Sequence, residues 1–168
     1  MKIAITGHRP KNIYGYDLNQ PSYGLLRSAI RDALLKNDCT DFYTGMDVGI
    51  DQLAALAVLD LKTEGHDIKL HAAIPCRDYS AKWPKASQDL YDTILSECDT
   101  KKLVTDGSYS PRVWLDRYIW MVRQVDMMIA VYNPGRMGAT RDHVEFAKSC
   151  GKAVWCIPPL AIDCARWL

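Results

Sequence analysis

The sequence predicts an α/β fold, a three-layer α/β/α sandwich on a mostly parallel sheet. Short apolar runs of strand length alternate with helix-period segments along the whole chain, the pattern of parallel strands joined by crossover helices. Glycine and proline close the apolar runs, at Gly7, Gly45, Pro75 and the pair Pro158 and Pro159. The length of 168 residues suits one domain with its own core, read as residues 1–168.

The first strand is predicted at 2–6, around Ile3, Ala4 and Ile5. A helix over 23–36 follows from the stripe Leu25, Leu26, Ala29, Ile30, Ala33 and Leu34. A short strand over 41–44 precedes a helix over 50–63, marked by Leu53, Ala54, Leu56, Ala57 and Leu61. The third strand is placed at 68–74, a helix at 85–98 and a short fourth strand at 102–104. Pro111 suits the first turn of a helix over 111–125. Residues 127–132 form a strongly apolar strand, 140–150 a helix ended by Gly151, and 153–157 the last strand. This alternation describes a Rossmann-like build.

Composition narrows the function. The chain is 48% hydrophobic and 24% charged, as in ordinary globular domains, and its net charge is +1. Proteins that bind nucleic acid through its phosphates carry a basic excess, so a nucleic-acid partner is disfavoured. No apolar run reaches membrane-spanning length, and no membrane partner is expected. The six cysteines form no C-x-x-C pair, and no signal peptide precedes the first strand; reduced thiols and a cytoplasmic location are expected. His8, His66, His71 and His143 lack zinc-ligand spacing with those cysteines, so neither a metal nor a cofactor is expected.

In open parallel sheets, ligands sit beyond the carboxyl ends of the strands, and four such ends carry unusual residues. After the first strand come Gly7, His8 and Arg9: a tight turn, a donor and a cation suited to phosphate. After the second come Gly45, Met46, Asp47, Gly49 and Asp51, two glycines at a helix N-terminus that can cradle an anion. Asp51 can cap that helix or take a ribose hydroxyl. After the third lie Pro75 and Cys76, then Lys82 and Trp83 in a loop that can act as a lid; no base stands beside Cys76 in sequence, so it is not read as a nucleophile. After the fifth come Arg136, Gly138, Ala139 and Thr140, the best phosphate turn in the chain. The helix before that strand carries Arg117 among Trp114, Tyr118, Met121 and Val122, which share one face and read as core.

Together these segments resemble the SLOG superfamily, which groups DprA, the LOG phosphoribohydrolases and YpsA-like proteins. The opening Thr6, Gly7, His8, Arg9 and Pro10, the run from Thr44 to Asp51, and the turn Gly138, Ala139 and Thr140 are most similar to the YpsA-like branch. The resemblance implies a Rossmann-like fold with a nucleotide-type pocket, and homo-oligomers, for which residues 114–120 and 161–168 are candidate interfaces. Arg117 corresponds to the LOG arginine that serves cleavage of a ribose–base bond. The turn departs from the LOG pattern: Arg136 replaces its second glycine, and His143 stands where LOG enzymes carry a glutamate. An oxocarbenium-like centre needs a nearby carboxylate, so this departure argues against LOG-type hydrolysis.

The first expectation is therefore a binding module for a nucleotide or nucleotide-derived ligand such as ADP-ribose, acting as sensor or sequestering domain. Its ligand residues would be Gly7, His8, Arg9, Gly45, Met46, Asp47, Gly49, Asp51, Pro75, Arg117, Arg136, Gly138, Ala139, Thr140 and His143. The alternatives are a nucleotide N-glycosidase with Asp47, Asp51 or Glu145 in place of the missing glutamate, and a DprA-like binder of single-stranded DNA.

Overall fold

The first strand, β1 (Lys2–Gly7), lies inside a seven-stranded sheet, and the chain winds outward from it in two directions. In the computed structural model, which describes all residues from Met1 to Leu168, α1 (Pro21–Lys36), β2 (Asp41–Thr44), α2 (Ile50–Thr63), β3 (Lys69–Ile74), α3 (Lys85–Ser96) and β4 (Thr100–Leu103) build one half. Then α4 (Val113–Gln124) crosses over to β5 (Met127–Val131), followed by α5 (Ala139–Ser149), β6 (Ala153–Ile157) and β7 (Arg166–Trp167). The strand order is β4-β3-β2-β1-β5-β6-β7. The first six strands pair in parallel, and β7 pairs antiparallel with β6. The expected three-layer α/β/α sandwich is what the chain forms. Winding reverses between β1 and β5, which leaves a crevice at their carboxyl ends.

The two faces of the sheet are sorted by the period-two alternation of strand side chains. Ile3, Ile5, Phe42, Leu70 and Ile129 face α1, α2 and α3 in the larger core cluster. Ala4, Ala73, Met128 and Ala130 face α4 and α5, meeting Tyr118, Met121, Val122, Val144 and Ala147. The small alanines on the second face let α4 and α5 approach closely, which brings their ends to the crevice.

Most of the expected elements appear within two residues. β4 spans Thr100–Leu103 rather than 102–104, because Thr100 pairs in register with His71. It is an edge strand with mostly exposed residues, so apolar pattern does not mark its start. The helix expected from Pro111 begins at Val113. No apolar pattern marks β7, whose two residues set Trp167 beside Trp155, ring centroids 5.1 Å apart. So the C-terminal segment considered as an interface folds back onto the sheet edge. The six cysteines are free thiols, and no helix is long and apolar enough to cross a membrane.

Candidate ligand-binding site

A cavity of about 340 Å³ opens at the crevice between the carboxyl ends of β1 and β5. The turn after β1 forms its floor, the start of α2 one flank and the start of α5 the other. The loop after β3 and the start of α4 close the remaining side. Gly7 ends β1 because a Cβ there would lie 2.6 Å from Ile50, whose helix must approach the strand. Gly49, at φ +105°, makes the turn into α2 and packs against Pro10, 2.5 Å from where a Cβ would stand.

Arg117, on α4, is buried at 5% exposure. Its Nη1 donates to the Gly45 carbonyl at 2.7 Å and to the Tyr79 hydroxyl at 3.0 Å, and its Nη2 to Asp47 Oδ2 at 2.7 Å. A Cβ at Gly45 would lie 2.6 Å from Asp51 Oδ2 and 2.7 Å from Arg117 Cζ. Gly45 is thus the space in which a guanidinium and a carboxylate pack together. Burial, then the neighbouring Asp47, pushes the Asp51 carboxyl up to about 7, against the pull of Arg117. The turn is held by Thr44, whose hydroxyl donates to the Asp51 carbonyl at 3.0 Å and accepts from the Met46 N–H at 3.1 Å. Met46 adopts φ +63° and is fully buried.

On the other flank, Thr140 donates to the Gly7 carbonyl at 3.1 Å, tying α5 to the end of β1. His143, one turn on, lies 3.1 Å from Thr6 Oγ1 through Nδ1 and stacks on Tyr118 with centroids 3.9 Å apart. Burial, reinforced by Arg117, lowers its pKa to about 4, so the ring is neutral near neutrality. His8 is 5% exposed, and its Nε2 accepts the Asn133 N–H at 3.1 Å. That bond places the ring proton on Nδ1 of the neutral imidazole. Burial lowers the pKa of His8 as well, helped by Arg136.

Of the sequence-predicted residues, Gly7, His8, Arg9, Asp47, Asp51, Arg117, Ala139, Thr140 and His143 line this one cavity. The others lie outside the lining. Gly45 and Met46 are buried beneath it, Gly49 backs onto Pro10, and Pro75 is buried at the end of β3. Gly138 is exposed at the entry to α5. Arg136 is exposed and donates to the carbonyl and side-chain oxygen of Asn12, at 3.3 and 2.9 Å, latching the loop after β5 onto the turn after β1. Asp51 and Thr140 make no side-chain cap on their helices. Glu145 and Asp142 are exposed and absent from the lining.

Sequence reasoning missed the aromatic wall formed by Tyr16, Tyr79, Trp83, Tyr109, Trp114 and Tyr118. Helical spacing assigns Trp114 and Tyr118 to the core. Tyr118 is indeed 3% exposed, yet its ring reaches the cavity. The available signal was the density of aromatics in the segments following β3 and β4, at the ligand end of the sheet.

Known proteins share this architecture. The chain is similar to the UPF0398 proteins of Bacillus cereus (strain G9842) and Bacillus thuringiensis (strain Al Hakam), each 25% identical over 154 residues that span 89% of this chain and 84% of the relative. DNA processing protein A (DprA) from Streptococcus pneumoniae superposes with a TM-score of 0.66 at 20% identity, over 97% of this chain and 54% of that one. DprA from Helicobacter pylori, described for its single-stranded DNA binding mode, gives 0.61 at 18% identity, over 94% and 65%. The chain spans between half and two thirds of those DprA chains, and the likeness to them is one of fold. The family model matches residues 3–154, which include every expected site residue from Gly7 to His143. With that match, and the cavity at the switch point of a Rossmann-like sheet, the chain belongs to the YspA SLOG family.

Proposed function

We propose that the cavity binds a nucleotide or nucleotide-derived ligand, and that the chain acts as a binding module. One observation carries the reading: cations, neutral donors and aromatic rings converge on a single cavity at the switch point of the sheet. Its volume of about 340 Å³ lies at the lower end of the range for small-molecule sites, so it suits a nucleotide-sized group. Aromatic faces favour base stacking, at about 1–3 kcal/mol per base. Arg9 offers a cation, while His8 and the uncapped start of α5 offer N–H donors.

A second reading, cleavage of an N-glycosidic bond, draws on Asp47 and Asp51, the two carboxylates beside Arg117 in the lining. Asp51, with its raised pKa, would be the proton donor and Asp47 the ionised partner. The likeness to DprA from Helicobacter pylori, described for its single-stranded DNA binding mode, supports a third partner, single-stranded DNA; the net charge of +1 favours a small ligand instead.

A thermal-shift screen of the purified chain tests all three. The panel holds nucleoside mono-, di- and triphosphates, NAD, ADP-ribose, cyclic dinucleotides and a deoxyoligonucleotide at low and high salt. A ligand at about 100 times its Kd is expected to stabilise the fold by about 2.7 kcal/mol. Chromatography of the same mixtures detects released base and separates binding from turnover. A flat response to every nucleotide would overturn the binding reading. A salt-sensitive shift with the oligonucleotide alone would replace it with the DNA reading.

A further inference from the structure

The charged groups lining the cavity are not equivalent. Arg117 is engaged by the Gly45 carbonyl, Tyr79 and Asp47, with only its Nε left buried without a partner. Arg9 and Lys82, by contrast, form no ion pair with any carboxylate of the chain. Beside them stands Trp114, whose indole Nε1 is buried without a hydrogen-bond partner. A buried tryptophan N–H ordinarily finds an acceptor, and one left unpaired calls for an explanation. The guanidinium of Arg9 lies 5.2 Å over the Trp114 ring, and Tyr109 meets the same ring edge-on at 5.3 Å. These surroundings are braced. Asp78, in the Lys82 loop, accepts the Tyr109 N–H at 3.0 Å, and Arg77 Nε donates to Asp106 Oδ1 at 3.0 Å. Two loops are thus tied together around an orphan donor and two unpaired cations.

We propose that Trp114 and Lys82, together with Arg9, form an oxyanion subsite that takes a phosphate of the bound nucleotide at the aromatic end of the cavity. The proposal rests on the nucleotide-binding reading and deepens it. Two cations, Arg9 and Lys82, stand at this end with one carboxylate, Asp78, which accepts the Tyr109 N–H; the balance is positive and the orphan group is a donor, so the missing partner is an acceptor that carries negative charge. The carboxylates Asp47 and Asp51 are gathered around Arg117 and Gly45, and Asp78 is held by the Tyr109 N–H. Trp114 serves as a neutral donor held by packing, and Lys82, on an exposed loop, as a cation that reaches across the opening.

The test compares ADP and AMP with adenosine, which has the same base and sugar without phosphate, by calorimetric titration of the wild-type chain and two variants. Trp114→Phe keeps a ring beneath Arg9 and removes the N–H together with part of the indole. Lys82→Gln removes an exposed charge that forms no ion pair. Trp114→Phe is expected to weaken ADP about tenfold and Lys82→Gln about fivefold, with adenosine within about twofold of wild type. The Lys82 effect is expected to shrink as salt is raised. The unliganded melting temperature of Trp114→Phe reports the packing lost with the smaller ring, separately from the effect on ligand affinity. Equal losses for ADP and adenosine would mean that the ring, not its N–H, carries binding, and would overturn the subsite. So would unchanged ADP affinity in both variants of a chain that binds ADP. Failure of the wild-type chain to bind any of the three probes would instead remove the nucleotide reading itself.

Discussion

Two helix N-termini flank the cavity, and they are built in opposite ways. At α2 the glycine turn is filled from within. Gly45 is pressed between Arg117 and Asp51, and the helix opens with a buried carboxyl in its first turn. At α5 the turn is open. A Cβ at Gly138 would meet nothing within 4 Å, and the helix begins with Ala139 and Thr140. Both sequences look like anion cradles, since both place glycine before a helix with unsatisfied N–H groups. The difference teaches that such a turn invites an anion only when the protein has not already supplied one. The α2 end has its own carboxylates; the α5 end does not have a buried one.

The comparison breaks most readily at Arg117. Arg117→Ala leaves Asp47 and Asp51 without their cation and is expected to cost about 3–5 kcal/mol in urea denaturation. Arg117→Lys is expected to recover little, because one ammonium cannot reproduce a fork that spans three acceptors. A loss below about 1 kcal/mol would show that the α2 end is not held by this cluster. The two glycines give the next contrast. Gly45→Ala forces a methyl into the guanidinium and carboxylate and is expected to cost about 3 kcal/mol. Gly138→Ala meets open space and bears only the strain of φ +129°, about 1–2 kcal/mol. Equal costs would erase the distinction between a filled and an open turn.

Acid titration sharpens the same contrast, because the flanks hold groups shifted in opposite directions. Asp51 on α2 is raised from 3.8 to about 7, so between those values the folded chain keeps a proton that the unfolded chain has lost. Its contribution to stability therefore falls as pH rises through that window. His143 on α5 is lowered from 6.5 to about 4, so over that range the unfolded chain holds the extra proton, and stability rises with pH. Across the shared range the two slopes oppose each other, and His8, lowered like His143, adds to the rising one. Denaturation midpoints of Asp51→Asn between pH 4.5 and 6.5 are expected to rise with pH more steeply than wild type, and those of His143→Gln less steeply. Parallel profiles for the two variants would contradict the assignment. The smallest effect is expected from Thr140→Val, which removes the bond to the Gly7 carbonyl and costs about 1 kcal/mol by the same measurement.

Much of the site was legible in the sequence because strand ends announce themselves. A strand that stops at glycine before a helix places its next residues at the ligand face of a parallel sheet, whatever the neighbours are. On that basis His8, Arg9, Asp47 and Thr140 were expected in the pocket, and they line it. His143 is expected from the resemblance to LOG enzymes, at the position of their glutamate, and it too lines the cavity. Gly45 and Met46 were legible as a special turn, but not as a buried one. What fills Gly45 is a guanidinium 72 positions away, and no local pattern encodes that contact. The aromatic wall failed for a related reason. Helical spacing assigns Trp114 and Tyr118 to one apolar face, and such a face can end in core or in cavity depending on what the next loop covers.

The sequence by itself determined the alternation of strands and helices, their order and the end of the sheet at which chemistry gathers. These follow from hydrophobic periodicity and from the few residues that turn a chain, both of which are local. Only the tertiary structure decided that Arg117 is consumed within the fold while Arg9 and Lys82 are left unpaired. It also decided that Asp51 is buried with a raised pKa, and that Trp114 carries an unanswered N–H. Charge pairing, desolvation and hydrogen-bond satisfaction depend on which side chains, distant in sequence, come to lie within a few ångströms once the layers pack.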